Sequence, residues 1–321
     1  REGCRRGASL FKTQYPDLVV PHEYSIYGVG TKDADGEPSR TNEEHFDRIC
    51  EELSDMHCEK INPDTYGYKE LITAYNIDEP SIAVGERLRS QFNEYLKAAN
   101  IEVHCNFEVT QLEPKDSKVI VGNNTSSDEF DKVINATGYQ VFKKNENKKP
   151  PFDMEVVYQP CLALIYEDKK PDEHPFSFIV MDGWFPCLMP YIEDNQKSTP
   201  HSRKYILTHG KWTIMGSYNT PITAKEVLAQ IDNSIIEEQI KPFAEKEMLR
   251  FWPEFEKRFN YVGWQGEVIA KLKTKREFRS AVTYENDNII YIIPGKVSNV
   301  FDTENKIYQS FLNVKHIWEK K

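Results

Sequence analysis

The sequence predicts an α/β fold, with an open α/β part assembled from both ends of the chain and a second, mainly antiparallel β-sheet domain between them. Three observations predict it. A helical pattern after Pro80 leads into short strand-like runs, the last of which, 132–135, passes straight into Ala136-Thr137-Gly138. From about residue 150 the pattern changes to longer β-rich stretches. Near the end, a closing strand over 289–293 enters a glycine-led loop and then an amphipathic helix.

In chain order, residues 1–40 read as an irregular, extended segment, with turn signals at Asp33-Ala34-Asp35-Gly36-Glu37-Pro38. Thr41 and Glu44 form a capping box for a helix with Phe46, Ile49, Cys50, Leu53 and Met56 on one face. The helix after Pro80 carries Leu88, Phe92, Tyr95, Leu96 and Ala99 on its apolar stripe and ends near Asn100, a suitable left-handed cap. Runs at 101–103, 107–112, 118–121 and 132–135 alternate with polar turns, as a strand, a meander and a returning strand would. The β-rich stretches fall at 155–158, 162–166, 176–181, 205–208 and 213–218. Thr223 and Glu226 form a second capping box, for a helix with Val227, Leu228, Ile231 and Ile235 inward, and Pro242 and Pro253 interrupt the helical stretch beyond it. Strands at 261–270 and 289–293 and an acid-capped helix from Asp302 close the chain. The expected domains are 1–149 with 283–321, and 150–282.

Composition bounds the function. Hydrophobic residues make up 39% and charged residues 29% of 321, an ordinary globular balance with enough length for two cores. The 41 basic and 51 acidic residues leave a formal charge of -10, a field that repels nucleic acid and anionic membranes, so neither is an expected partner. No apolar run approaches the roughly 18 residues of a membrane span, and the first residues show no secretory pattern. Six cysteines without a C-x-x-C pair fit reduced thiols in a cytoplasmic enzyme and give no thiolate metal site.

Two segments carry chemistry. In Val133-Ile134-Asn135-Ala136-Thr137-Gly138-Tyr139, small Ala136 and flexible Gly138 leave room for phosphates beside a strand end, and Thr137 offers a hydroxyl or amide donor. Ligands of open α/β sheets gather at such carboxyl ends. A plain strand ending in a glycine turn is the competing reading. In Ile293-Pro294-Gly295-Lys296-Val297-Ser298-Asn299-Val300, a loop leads into a helix whose first amides are unpaired and carry partial positive charge. Lys296 adds a full charge, or is an ordinary solvated loop lysine.

Together with Arg6-Gly7-Ala8-Ser9, with Val109 in Phe107-Glu108-Val109-Thr110, and with Phe251-Trp252-Pro253-Glu254-Phe255 and Tyr261-Val262-Gly263-Trp264-Gln265-Gly266, these segments resemble, in order, FAD-dependent oxidoreductases of the D-amino-acid oxidase and glycine oxidase type. The resemblance implies an FAD/NAD(P)-binding Rossmann-like domain, FAD as cofactor, and a β-rich substrate domain. It also implies site residues. Ser9 would pack against the cofactor, and Val109 would pair with adenine through its backbone. Ala136, Thr137 and Gly138 would flank the nucleotide, and Gly295, Lys296, Val297, Ser298 and Asn299 would meet the pyrimidine edge of the flavin ring.

The sequence departs from this family twice. The family's first strand and G-x-G-x-x-G turn belong before Gly7, where only six residues stand, so a segment of about 30 residues is expected to be missing. Without it the pyrophosphate lacks its main helix-dipole site. Gly28-Val29-Gly30 is rejected as a substitute, because Asp33 holds the third glycine's place and no helix pattern follows. Secondly, where many members place an arginine after the W-x-G motif, this chain has Gly266-Glu267-Val268-Ile269. Lys273 and Arg279 are then candidate contacts for a substrate anion, with Tyr218, Trp184, Phe185 and Tyr191 as candidate pocket aromatics. No metal ligand set is expected, and the catalytic residues are not identified, because hydride transfer to flavin needs no obligatory protein base.

The expected function is FAD-dependent oxidation of a C–N or C–O bond in a small polar molecule such as an amino acid, amine or hydroxy acid, by a possible homo-oligomer. The alternative is a non-catalytic, flavoprotein-like subunit or binding protein that has lost its cofactor.

Overall fold

The computed structural model describes residues 2–52, 57–141, 155–192, 204–273 and 280–312. Its centre is an eight-stranded mixed sheet in the order Phe259–Leu272, Val156–Asp168, Lys204–Thr208, Cys187–Pro190, Ser177–Val180, Ser25–Gly30, Leu71–Ile77, Cys58–Ile61. All neighbours are antiparallel except Ser177–Val180 beside Ser25–Gly30.

Alternation decides which face of this sheet is core. In Val156–Asp168, Tyr158, Leu162, Leu164 and Tyr166 are buried while Gln159, Cys161, Ala163 and Ile165 between them are only half-buried. Onto the buried face packs a helical stretch contributing Ile236, Ile240, Ala244, Met248, Phe251, Trp252 and Phe255. Burying each of the larger of these side chains contributes roughly 1.5–3 kcal/mol. Pro242, expected to interrupt this stretch, stands in the first turn of the helix Lys241–Phe251, just after a π-turn over Ile236–Ile240. Proline has no N–H and crowds the carbonyl four residues back, so the wide turn absorbs it without ending the helical path. Beside this core Arg258 grips buried Asp168 through Nε (3.1 Å) and Nη2 (2.9 Å), and its guanidinium lies 4.5 Å from the Phe176 ring centroid.

A smaller sheet joins the two ends of the chain. Ile289–Ile293 pairs in parallel with Val133–Asn135 and antiparallel with Val282–Asn286. A separate three-stranded meander is formed by Gln111–Lys115, Lys118–Gly122 and Ser127–Phe130. One cluster, of Leu112, Val119, Val141, Leu272, Ile289, Tyr291 and Ile293, ties these sheets to the end of the large sheet's edge strand.

Several expectations are corrected. Residues 1–40 are not merely extended: Glu2–Gln14 is a helix and Ser25–Gly30 an inner strand of the large sheet. Gly28-Val29-Gly30 is therefore strand, in keeping with its rejection as a phosphate turn. The helix Glu43–Glu52 is capped by Asn42, whose Oδ1 accepts the His45 amide at 2.8 Å, rather than by Thr41; Leu53 and Met56 lie outside the described residues. Likewise Thr220, not Thr223, caps the helix Pro221–Ala229. The helix Gly85–Ala98 with Asn100 at φ 53° matches expectation, but 101–110 forms no strand, because no neighbouring strand pairs with it. The stretches 155–158 and 162–166 are one long strand, and 213–218 touches it only through two isolated bridges. Three strands from residues 25–77 enter the same sheet as those beyond 155, so this sheet crosses the expected division at 149/150. Cys50, Cys58, Cys105, Cys161 and Cys187 are free thiols. No helix among the described residues is long and apolar enough to cross a membrane.

Candidate functional site

The parallel register Ile289↔Val133, Ile290↔Ile134, Tyr291↔Asn135 sets the carboxyl ends of two strands side by side. Ala136-Thr137-Gly138 and Pro294-Gly295 therefore leave the sheet at one edge, the place where open α/β sheets take ligands. Asn135, 8% exposed, organises the first turn: its Nδ2 donates to the Val141 carbonyl (2.9 Å), and its Oδ1 accepts the Thr137 hydroxyl (2.7 Å). That engages the hydroxyl proton of Thr137, leaving its oxygen as an acceptor. Gly138 has φ +64°, a left-handed conformation that disfavours other residues, and a Cβ there would meet nothing within 4 Å. Ala136 and Thr137 are exposed beside it.

The second loop is built by close backbone approach. A Cβ on Gly295 would lie 2.1 Å from the Ala281 nitrogen, so the chain passes there only as glycine. Asn299 is 3% exposed, and its Oδ1 accepts the Lys296 amide at 3.1 Å, closing the turn that opens the helix Val300–Leu312. Gly295, Lys296 and Val297 are exposed, Ser298 half-buried. The first helix meets this turn at Gly7, against the Ser298 carbonyl, and Arg6 pairs with Asp302 at 2.5 Å. Ser9 lies on the exposed side of that helix, where its carbonyl accepts the Thr13 hydroxyl (3.1 Å). The structure thus brings together 136–138, 295–299 and the helix bearing Ser9. Val109, 36% exposed at the entry to the three-stranded meander, lies outside these contacts.

Of the substrate candidates, Tyr218 exchanges backbone hydrogen bonds with Tyr158 (2.8 and 2.9 Å), and its hydroxyl donates to the Met215 carbonyl at 3.0 Å. Lys273 stands just past the edge strand and pairs with Glu155 at 2.7 Å. Arg279 lies outside the described residues. The candidate aromatics divide: Trp184 Nε1 donates to Asp35 (2.9 Å), whereas the Tyr191 hydroxyl donates to Gln265 (3.2 Å).

The sequence reading missed a buried polar quartet of Asp182, His209, Glu247 and Arg250. The acidic and imidazole ligand atoms lie within 4.8 Å of one another, Asp182 is 0% and His209 1% exposed, and Arg250 Nη2 is 2.8 Å from Glu247. His209 Nδ1 accepts the Lys211 amide at 3.2 Å, which places the neutral ring's proton on Nε2. A metal-ligating histidine usually donates its other N–H instead. Nε2 makes no hydrogen bond to a described residue, and Arg250 stands 3.7 Å from Asp182 and 2.8 Å from Glu247 as the counter-charge of the two carboxylates. Burial, with Arg250 and Lys211 adding to it, pushes His209 down to about 4. Only the E-x-x-R spacing of Glu247 and Arg250 was visible in sequence, because the other members come from distant strands.

A half-buried left-handed glycine with open space at its Cβ position, the exposed Ala136 and Thr137 beside it, and a helix start at the neighbouring loop fit a nucleotide-type cofactor lying along this edge. No protein-family model matches the chain. The FAD-dependent monooxygenase kojA of Aspergillus flavus is 46% identical over 308 residues, covering 96% of this chain and 71% of that protein. The probable FAD-dependent monooxygenase kojA of Aspergillus oryzae matches to the same extent. Among solved structures, glycine oxidase from Geobacillus kaustophilus superposes with a TM-score of 0.64 at 9% identity, covering 99% of this chain and 79% of that one. L-proline dehydrogenase from P. horikoshii gives 0.67 at 12%, covering 99% and 80%. At such identities the likeness establishes the fold.

Proposed function

The chain belongs to the family of the FAD-dependent monooxygenase kojA, and from that premise we propose that it oxidises a small molecule with FAD seated along the edge formed by residues 136–138 and 295–299. It is an enzyme, an FAD-dependent oxidoreductase, which sets aside the non-catalytic alternative. The observation that carries the seat is the parallel pairing of Val133–Asn135 with Ile289–Ile293, which opens two glycine turns at one edge. Bound there, FAD supplies two-electron redox chemistry and, in a monooxygenase, the activation of dioxygen.

The chain's own residues bind and orient. Gly138 and Ala136 leave backbone reachable beside the nucleotide, and the start of the Val300–Leu312 helix offers partial positive charge to electron-rich atoms. Lys296 adds charge at the same lip. Asn299 holds the loop's shape through the Lys296 amide. Ser9 is proposed to face the cofactor from the first helix, and Val109 to pair with its adenine. Tyr218 and Lys273 are proposed substrate contacts, Lys273 exchanging Glu155 for a substrate anion. We propose an FAD part built from both ends of the chain and a substrate part on the large sheet, in a cytoplasmic enzyme.

Oxidation of a C–N or C–O bond by hydride transfer is the reaction that the shared oxidase fold favours, and oxygen insertion is the one that the relatives' names favour. Purified protein with visible flavin absorption is expected; protein that stays colourless after incubation with FAD would sink the assignment. Turnover in labelled dioxygen then separates the reactions, because label in the product means monooxygenation and label only in peroxide or water means oxidation.

A further inference from the structure

We propose that Lys225, a residue of the substrate part, is a positioning residue for the cofactor, clamping Tyr139 and thereby the Thr137–Gly138 turn against the edge strand of the large sheet. This rests on the FAD seat proposed above. Tyr139 directly follows left-handed Gly138, so the placement of its ring fixes where that turn lies. The Tyr139 side chain packs against the cluster formed by Tyr158, Ala224, Val268 and Ala270, which come from two strands of the large sheet and the helix Pro221–Ala229. The Lys225 ammonium lies 4.9 Å from the Tyr139 ring centroid and 3.2 Å from Glu267 Oε1. One cation thus covers the outer side of the ring and ties it to the edge strand. Gln140 Nε2 donates to the Tyr139 hydroxyl at 2.9 Å, fixing the ring's far end. The contact with Tyr139 above all, and then that with Glu267, raises the Lys225 pKa above the ordinary lysine value, so the clamp is charged at neutral pH.

The site is exposed, and the effect is correspondingly modest: a cation over an aromatic ring at a surface corresponds to about two- to fivefold in affinity. The test compares wild type with Lys225→Met, which keeps the stem and removes the charge, and with Lys225→Arg, which restores a cation over the ring. FAD affinity, read by quenching of flavin fluorescence, is expected to weaken about two- to fivefold in Lys225→Met and to recover in Lys225→Arg. Visible circular dichroism of the bound flavin is expected to change in the first and match wild type in the second. Equal affinity and spectrum in Lys225→Met and wild type would overturn the clamp while leaving the FAD seat standing; so would an arginine variant that behaves like the methionine one. Failure of wild type to bind FAD would overturn both.

Discussion

A Cβ placed on Gly7 would lie 1.7 Å from the carbonyl oxygen of Ser298. The first helix therefore touches the loop before the last helix backbone to backbone, and two chain segments 291 positions apart share one contact surface. Nearby, the Phe11 and Phe301 rings sit 6.5 Å apart and seal the same junction.

Gly7→Ala sets two effects against each other. Alanine favours a helix over glycine by about 1 kcal/mol, but the clash is with main chain and forces the helix away from Ser298. Overpacking of this kind costs about 1–3 kcal/mol. The expected outcome is a net loss of stability in chemical denaturation and weaker FAD binding; a more stable Gly7→Ala protein would show that the contact is not made.

Asn299→Ala removes the acceptor that the Lys296 amide uses at 3.1 Å, in a turn where Asn299 is buried and Lys296 exposed. Losing one such hydrogen bond costs roughly 0.5–1.5 kcal/mol. The flavin spectrum of Asn299→Ala is expected to shift along with stability, because the turn carries residues of the proposed seat. An unchanged spectrum would remove Asn299 from it.

The Asp168–Arg258 pair is buried on the aspartate side and bidentate. Asp168→Ala is expected to lose about 1.5–3 kcal/mol in urea unfolding, because it removes the bidentate partner of a half-buried guanidinium and leaves it Asp172 and the Lys170 carbonyl. Lys257→Ala, which breaks an exposed pair with Glu254, is expected to change stability by about 1 kcal/mol or less.

Burial lowers His22 to about 4 and His209 to about 4, from an ordinary histidine value of 6.5. A folded-state value below the unfolded one means the neutral ring stabilises the fold. That contribution is complete above pH 6.5 and is lost as pH falls towards 4. His209 accounts for about 3 kcal/mol of it. Unfolding free energy is expected to drop between those limits, and His209→Gln to flatten the drop. A pH-independent profile would contradict the buried neutral imidazoles.

Much of the fold was legible because local patterns carry it. The glycine-led loop after 289–293 and the Asn100 cap follow from alternation and turn chemistry within a few residues. Burial of Phe46 follows from helical spacing in the same way. The first helix was not legible: Glu2–Gln14 begins at the start of the sequence, and its inward residues Gly7 and Phe11 form too short a stripe to separate helix from coil. Ser25–Gly30 went unread as a strand because its two glycines look like turn signals; in the sheet Gly28 passes so close to Leu71 that a Cβ would lie 2.7 Å from it.

By itself the sequence determined the α/β class and the two glycine turns, because each depends on the side chain or dihedral of its own residue. Only the tertiary structure decided that these turns lie side by side, through the register of Tyr291 on Asn135, and that Asp182, His209, Glu247 and Arg250 meet in one interior. Pairing register and burial arise from groups brought together by folding, and no pattern confined to one stretch of chain records which distant stretch will face it.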